Sequence, residues 1–392
     1  MGAIESRYRT FLADRAEAGL HRAMPAISAE GPGVIKVDGT RYTNFSSNEY
    51  LGLSQHPELI ARAKEWTTKH GAGSGASRLV TGNLDLFEQI EAKTAKLKST
   101  SAALVMVSGF QANATVLQAL LDRQVLDGDP LVFADRLNHA SMHFGCWAAG
   151  VRQFRYRHCD AAHLKSLLAK HAGDERPKFI LTESVFSMDG DLAPMQEIKE
   201  LARQHGAFLI CDDAHATGIL GKEGCGMSAG ADLVIGTFSK ALGCFGAYVA
   251  CSQTLRDYLV NRCAGLIYST ALPPAVLGAI DASLDLLSGL DDERRRVAEM
   301  ADEFRRQAVG LGYDTGNSAS QIVPLVVGEA ETAIALSAKL AEAGIWATAI
   351  RPPTVPKGSA RLRLAFTAAH SSADLERLLG QLTPRGQASA RA

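Results

Sequence analysis

Between Ser101 and Cys251 short apolar runs alternate with segments of helical spacing. The runs are Ala102–Val107, Leu131–Ala134, Val151–Tyr156, Phe179–Glu183, Phe208–Asp212, Leu233–Phe238 and Ala247–Cys251, and helices fit Gln111–Leu121, Ala161–His171 and Met195–His205. Strands that are apolar on consecutive positions belong to a sheet covered on both faces, and intervening helices make it mostly parallel. Such sheets hold ligands beyond the carboxyl ends of their strands. Gly109, Ser187, Asp212, His215, Thr237 and Lys240 all fall there.

The flanking pattern is different. Residues 5–22 have helical spacing, Gly33–Thr40 reads as a hairpin with an Asp38-Gly39 turn, and Asn44–Leu53 reads as loop. A helix over Pro57–Lys69 leads into Gly71–Gly82, which is either a flexible linker or a glycine-rich turn feeding an anion to the helix Leu84–Leu97. After Pro273-Pro274 a helical region runs to about Gly310. Strands at Val323–Val327, Trp346–Ile350 and Leu362–Phe366, with helices at Glu331–Ala343 and Ser371–Leu382, then make a smaller α+β lobe. The expected division is an N-terminal helix and hairpin over 1–50, a large α/β domain over 51–287, a small α+β domain over 288–384 and a disordered tail over 385–392.

Composition narrows the partners. In 392 residues the formal net charge is -1, which gives no global case for nucleic acid or an anionic membrane surface. No apolar run reaches the length of a membrane span, and the N-terminus lacks a secretory core. The seven cysteines are scattered without a C-x-x-C pair, so a disulfide framework or zinc site is not expected, and the expected compartment is a reducing cytoplasm. Arg294–Arg296 after Asp291–Glu293 reads as a solvated helix start.

The chemistry concentrates at Asp232–Gly246, DLVIGTFSKALGCFG. Lys240 just past a buried strand, flanked by the Thr237 and Ser239 hydroxyls, suits an imine with an aldehyde cofactor whose phosphate those hydroxyls hold. Alone it would be an ordinary surface lysine. In LICDDAH, Asp212 at a strand end suits a pyridinium nitrogen, and His215 its phenolic oxygen. Together they suggest pyridoxal phosphate (PLP). A D-x-x-H metal pair is the rival, weakened by the absence of a third ligand cluster and of a role for Lys240. Gly109 and Phe110 open a helix whose N–H groups can meet a phosphate. His139 is either a ring stacked on a planar cofactor or a helix cap. Glu183 or Ser187 can approach the same place, while Asp189-Gly190 reads only as a turn. Arg351, followed by prolines, is either a carboxylate clamp or a solvated arginine.

These motifs resemble the α-oxoamine synthases, a family of fold-type I PLP-dependent transferases. The similarity spans nearly the whole chain: NFSSNEYLGL, GSGASRLVTG, SGFQAN, ADRLNHAS, TESVFSMDGDLAP, DDAHATG, TFSKALG, LIYSTALPP and AIRPPTVPKGSARLRL. The last looks most like the branch that joins L-alanine to a pimeloyl thioester in biotin biosynthesis. The resemblance implies an α/β fold with a large, mostly parallel seven-stranded sheet and a smaller C-terminal α+β domain. It implies PLP, with Lys240, Asp212 and His139 catalytic. Cofactor contacts would be Gly109, Phe110, Ser187, His215 and Thr237, with Ser269 and Thr270 reaching the partner subunit's phosphate in a homodimer. Substrate contacts would be Asn48, His139, Arg351 and Thr354, with no metal. His21 stands where the family commonly has an arginine, beside Arg22, which leaves recognition of the acyl chain's far carboxylate open. The acyl carrier would be coenzyme A or a carrier protein. Glycine- and serine-using members of the family, and a non-catalytic PLP-fold module, are the alternatives.

Overall fold

The computed structural model describes residues 2–384, and the tail expected over 385–392 lies outside the described residues. The chain forms two compact units, one of Asn48–Ser187 with Asp191–Arg295, the other of the residues up to Ser47 with Met188–Gly190 and those from Arg296 on.

All seven expected runs of the larger unit are strands of one seven-stranded sheet. They are β1 (Ala102–Met106), β2 (Leu131–Asp135), β3 (Gln153–Tyr156), β4 (Lys178–Glu183), β5 (Ala207–Asp212), β6 (Leu233–Thr237) and β7 (Ala247–Cys251), in the spatial order β1-β7-β6-β5-β4-β2-β3. Alternate residues of one strand enter different apolar layers. In β2, Val132 and Ala134 join Leu117, Met142 and Ile210, whereas Leu131 and Phe133 join Leu164, Ile198 and Leu209. Each such side chain contributes roughly 1.5–3 kcal/mol on burial, which is why the strands read as unbroken apolar runs.

β2 to β6 pair in parallel, and β7 runs antiparallel to both β1 and β6. The reversal follows from the short connection between β6 and β7, closed by Phe238 N–H donating to Gly246 O (3.0 Å) and Cys244 N–H to Phe238 O (2.9 Å). Lys240 therefore sits in a tight hairpin loop at a strand end. The glycine just before it is fixed by packing: Gly236 faces Tyr248 across the ladder, and a Cβ there would lie 2.2 Å from the Tyr248 hydroxyl.

Several features differ from the sequence expectation. Gly71–Gly82 is docked and not a free linker: Ser74 Oγ donates to Ala271 O (2.6 Å) and Leu272 O (3.0 Å), and Ala271 N–H donates to Ala76 O (3.0 Å). Arg78 in it is committed to a buried ion pair with Glu91 and lies over the Phe87 ring. Arg294, expected to be solvated, is buried, donating to Leu287 O (2.9 Å) and Asp291 (2.6 Å). Sequence periodicity also missed the helix Gln253–Arg262 and the short turn Ala264–Ile267.

The smaller unit has a sheet of Ile27–Gly31, Val34–Val37, Thr40–Asn44 and Ile345–Trp346, and another of Ile322–Gly328, Ala360–Ala365 and Ala349–Ile350. Its core gathers Phe45, Phe304, Phe366, Leu325, Leu362 and Leu378. The single strand expected over Trp346–Ile350 is thus two pieces in two sheets. Between them the backbone leaves the ladder, with Thr348 N–H donating to Ser46 Oγ (2.8 Å) and Ser337 Oγ to Ala347 O (2.5 Å). Asp189-Gly190 is more than a turn: Asp189 pairs with the buried Arg361, and Gly190 O accepts from Ser320 Oγ (2.8 Å).

Candidate active site

Strand register sets the centre of the site. Glu183 on β4 pairs with Asp212 on β5, and Asp212 pairs with Ile235 on β6, so two carboxyl groups end neighbouring strands. Asp212 is 7% exposed. Its Oδ2 accepts from Asn113 Nδ2 (2.7 Å) and its Oδ1 from the Ala214 N–H (3.0 Å). Asn113 lies one turn into the helix Gly109–Leu120, on its buried side, and also donates to Ser141 Oγ (3.0 Å). Ser141 in turn bonds His139 Nδ1 (2.6 Å). A continuous chain of hydrogen bonds thus links Asp212 to the His139 ring.

His139 begins the helix Ala140–Ala148, accepting from the Ser141 N–H (3.3 Å) through Nδ1, while its own N–H donates to Glu183. The capping reading is therefore correct as far as Nδ1 goes. Although the residue is exposed overall, dehydration of the ring lowers its pKa below the usual imidazole value. The positive charges of Lys240 and His143 act the same way and Asp212 opposes them. Burial, then the charge of Asp212, holds the Glu183 carboxyl well above the usual range, with Lys240 opposing. Lys240, Asp212, Glu183 and His139 therefore share one electrostatic neighbourhood.

His215, buried just beyond β5, bonds the Tyr50 hydroxyl through Nδ1 (2.7 Å). The same hydroxyl donates to Asn48 Oδ1 (3.1 Å), which brings Asn48 into contact with this group. On the other side of the strand ends, Thr237 Oγ1 and Ser239 Oγ are 2.6 Å apart, and the Ser239 N–H donates to Thr237 Oγ1 (3.0 Å). A Cβ built on Gly109 would lie 3.9 Å from Thr237 Cβ, so the helix N-terminus carrying Gly109 and Phe110 faces these hydroxyls. Gln111 Nε2 donates to Ser269 Oγ (2.5 Å), and Thr270 bridges to Ser77. Ser187 opens the turn that follows β4.

The donor set fits PLP. The N–H groups of a helix start suit a phosphate, with two hydroxyls beside them that in this structure bond each other and Gly246 O; a buried carboxylate suits a ring nitrogen, and an amine on a hairpin loop suits the aldehyde. Asn113, Ser141 and Tyr50 were missed in the sequence. Only Asn113 carried a signal, as a polar residue on the apolar side of its helix.

The remaining predicted residues gather in the smaller unit. His21, Arg22, Arg351 and Thr354 line a cleft of about 350 Å³ with Leu20 and Ile350, and among the described lining residues none is acidic. Arg351 Nη1 donates to Gly19 O, and Arg22 Nη2 donates to Thr354 Oγ1 (3.1 Å). Arg22 rather than His21 thus makes the side-chain contact across this cleft.

The family model of class I and II aminotransferases matches residues 40–382. An 8-amino-7-oxononanoate synthase of Gluconacetobacter diazotrophicus is 54% identical over 387 residues, covering 97% of each chain. That of Geobacter sulfurreducens is 45% identical over 379 residues, covering 95% of each. Among solved structures, Sphingomonas wittichii serine palmitoyltransferase has a TM-score of 0.91 at 27% identity over 99% of both chains. A serine palmitoyltransferase with PLP as internal aldimine has a TM-score of 0.89 at 27% identity, again over 99% of both.

Proposed function

The chain belongs to the class I and II aminotransferase family and within it to the 8-amino-7-oxononanoate synthases, and from that premise we propose that it condenses L-alanine with a pimeloyl thioester. The products are 8-amino-7-oxononanoate, carbon dioxide and the free thiol. The enzyme is PLP-dependent and transfers an acyl group.

PLP, when bound, supplies an electron sink for the amino acid's Cα. Asp212, aimed by Asn113 and the Ala214 N–H, keeps the proton on the ring nitrogen. Gly109 and Phe110 N–H groups with Thr237 would hold the phosphate, and in a homodimer Ser269 and Thr270 would reach the partner subunit's phosphate. Ser187 and His215 would hold the phenolic oxygen, and His139 would contact the ring. Lys240 Nζ would hold the cofactor's aldehyde carbon and, as a free amine, would take the Cα proton. Arg351 fixes the alanine carboxylate, with Asn48 and Thr354 beside the substrate. Arg22 and His21 receive the far carboxylate of the acyl chain.

The observation that carries this reading is the hydrogen-bonded line Asp212–Asn113–Ser141–His139 in the electrostatic field of Lys240. The acid-free cleft with two guanidinium groups supports a dicarboxylate-derived substrate. A homodimer is part of the proposal. It is supported by the exposed aromatic trio Phe110, Phe144 and Trp147, whose ring centroids are 5.7 and 5.3 Å apart in sequence. A cytoplasmic location is supported by seven free thiols, and no described helix is long and apolar enough to cross a membrane. The test is a product assay with alanine, glycine and serine against pimeloyl-CoA and a pimeloyl carrier protein. Only alanine should give product at speed, and preference for glycine or serine contradicts the assignment.

A further inference from the structure

Behind Asp212, on the far side of the same backbone turn, lies a buried ion pair that the proposed chemistry does not use. Lys98 ends the helix Leu86–Lys98, and its side chain is 1% exposed, against 0% for that of Asp213. Lys98 Nζ donates to Asp213 Oδ2 (2.6 Å), Thr217 Oγ1 (2.8 Å) and Cys225 O (2.6 Å), which uses every ammonium proton. Asp213 also accepts from Ser184 Oγ (2.5 Å), Ser228 Oγ (2.9 Å) and the Met227 N–H (3.2 Å). The cage is tight: a Cβ on Gly226 would lie 1.8 Å from Asp213 Oδ2. The backbone carrying it is pinned on both sides, with Asp213 N–H donating to Ile235 O (2.7 Å) and Ser184 N–H to Asp212 O (2.9 Å).

We propose that Lys98 is a positioning residue for the cofactor: by pairing with Asp213 it cancels a second carboxylate charge next to Asp212 and fixes the strand end that carries Asp212 and His215. This rests on the reading of Asp212 as the partner of the ring nitrogen. A buried ion pair is seldom worth more than apolar side chains of equal volume, so stability alone does not account for it. Losing one half is another matter. An uncompensated carboxylate beside Asp212 in a dry site is a like charge with no partner, and it disturbs both the strand end and the field that Asp212 offers the ring nitrogen. Burial works against the Lys98 charge, but Asp213 outweighs it and keeps the ammonium form. The other groups acting at this strand end are Glu183, His139, Lys240, Cys211 and Tyr248; burial raises the pKa of the last two and the Lys98 charge opposes it, so its loss moves both further from ionisation.

The test compares wild type, Lys98→Met and the double variant Lys98→Met/Asp213→Asn. PLP affinity is read by equilibrium dialysis of the holoenzyme, together with the absorbance spectrum of the bound cofactor. Lys98→Met should weaken PLP binding about tenfold or more and alter the spectrum, as one uncompensated like charge does. The double variant removes both charges and should return to within about threefold of wild type. Unchanged affinity and spectrum in Lys98→Met would overturn the proposal. So would a folded double variant that binds PLP as weakly as the single one. Should Lys98→Met fail to fold, the double variant decides alone, and a loss beyond about tenfold there contradicts charge compensation. A wild-type protein that retains no PLP would overturn the reading of the site and this proposal with it.

Discussion

Tyr50→Phe isolates one link of the site. The residue is fully buried, and phenylalanine keeps the ring while deleting only the hydroxyl. That hydroxyl bonds His215 Nδ1 at 2.7 Å and Asn48 Oδ1 at 3.1 Å. Two buried hydrogen bonds of ordinary strength amount to about 1–3 kcal/mol. At ~2–4 °C per kcal/mol, the melting temperature should fall by roughly 2–12 °C. The kinetic loss has a different origin. His215 loses the group that sets which ring nitrogen carries the proton and how the ring is turned, so turnover should fall by about 10- to 100-fold, as misplacement in a site does. Differential scanning fluorimetry and steady-state kinetics read the two effects separately. A variant melting within about 1 °C of wild type with turnover within about twofold would refute the role of the Asn48–Tyr50–His215 chain.

His158 is held between Asp135 (3.0 Å) and Asp191 (2.7 Å); burial disfavours its charge, but those two hydrogen bonds outweigh it and raise its pKa from 6.5 to about 12. The stability gained is complete below the unfolded pKa and is lost as pH rises toward about 12. His158→Gln should therefore cost about 3 kcal/mol at pH 6, and the gap from wild type should narrow as pH rises; denaturant melts across pH check this. Arg22→Ala should raise KM for the pimeloyl thioester about tenfold or more and leave KM for alanine near wild type, whereas Arg351→Ala should act on alanine; a reversed split rejects the two assignments. Trp147, 72% exposed, is the most accessible ring of the aromatic trio, and Trp147→Asp should shift sedimentation toward monomer. An unshifted dimer would move the interface elsewhere.

The larger unit was legible because strands buried on both faces are unbroken apolar runs, and β7 stood out among them only by its short connection to β6. The positions of Asp212, His215, Thr237 and Lys240 at or just beyond strand ends were legible, because each follows an apolar run in the sequence. The site was not legible where a role depends on which side chains meet in space. Tyr50 and His215 are distant in the chain, as are Lys98 and Asp213, and no periodicity records that they touch. Arg294 misled for the same reason, since a basic run at a helix start gives no sign that one member turns inward onto Leu287 O. Trp346–Ile350 misled because five strand-forming residues look continuous although Ala347 and Thr348 bond outside the ladder.

The hairpin loop after β6 carries Lys240, the residue on which the proposed chemistry depends. The most direct test is borohydride reduction of the purified protein, followed by peptide mapping by mass spectrometry. The account predicts a reduced pyridoxyl mark on Lys240, absent in Lys240→Ala, which should also be nearly inactive. A mark on another lysine, or a Lys240→Ala protein that still turns over at the wild-type rate, would contradict it.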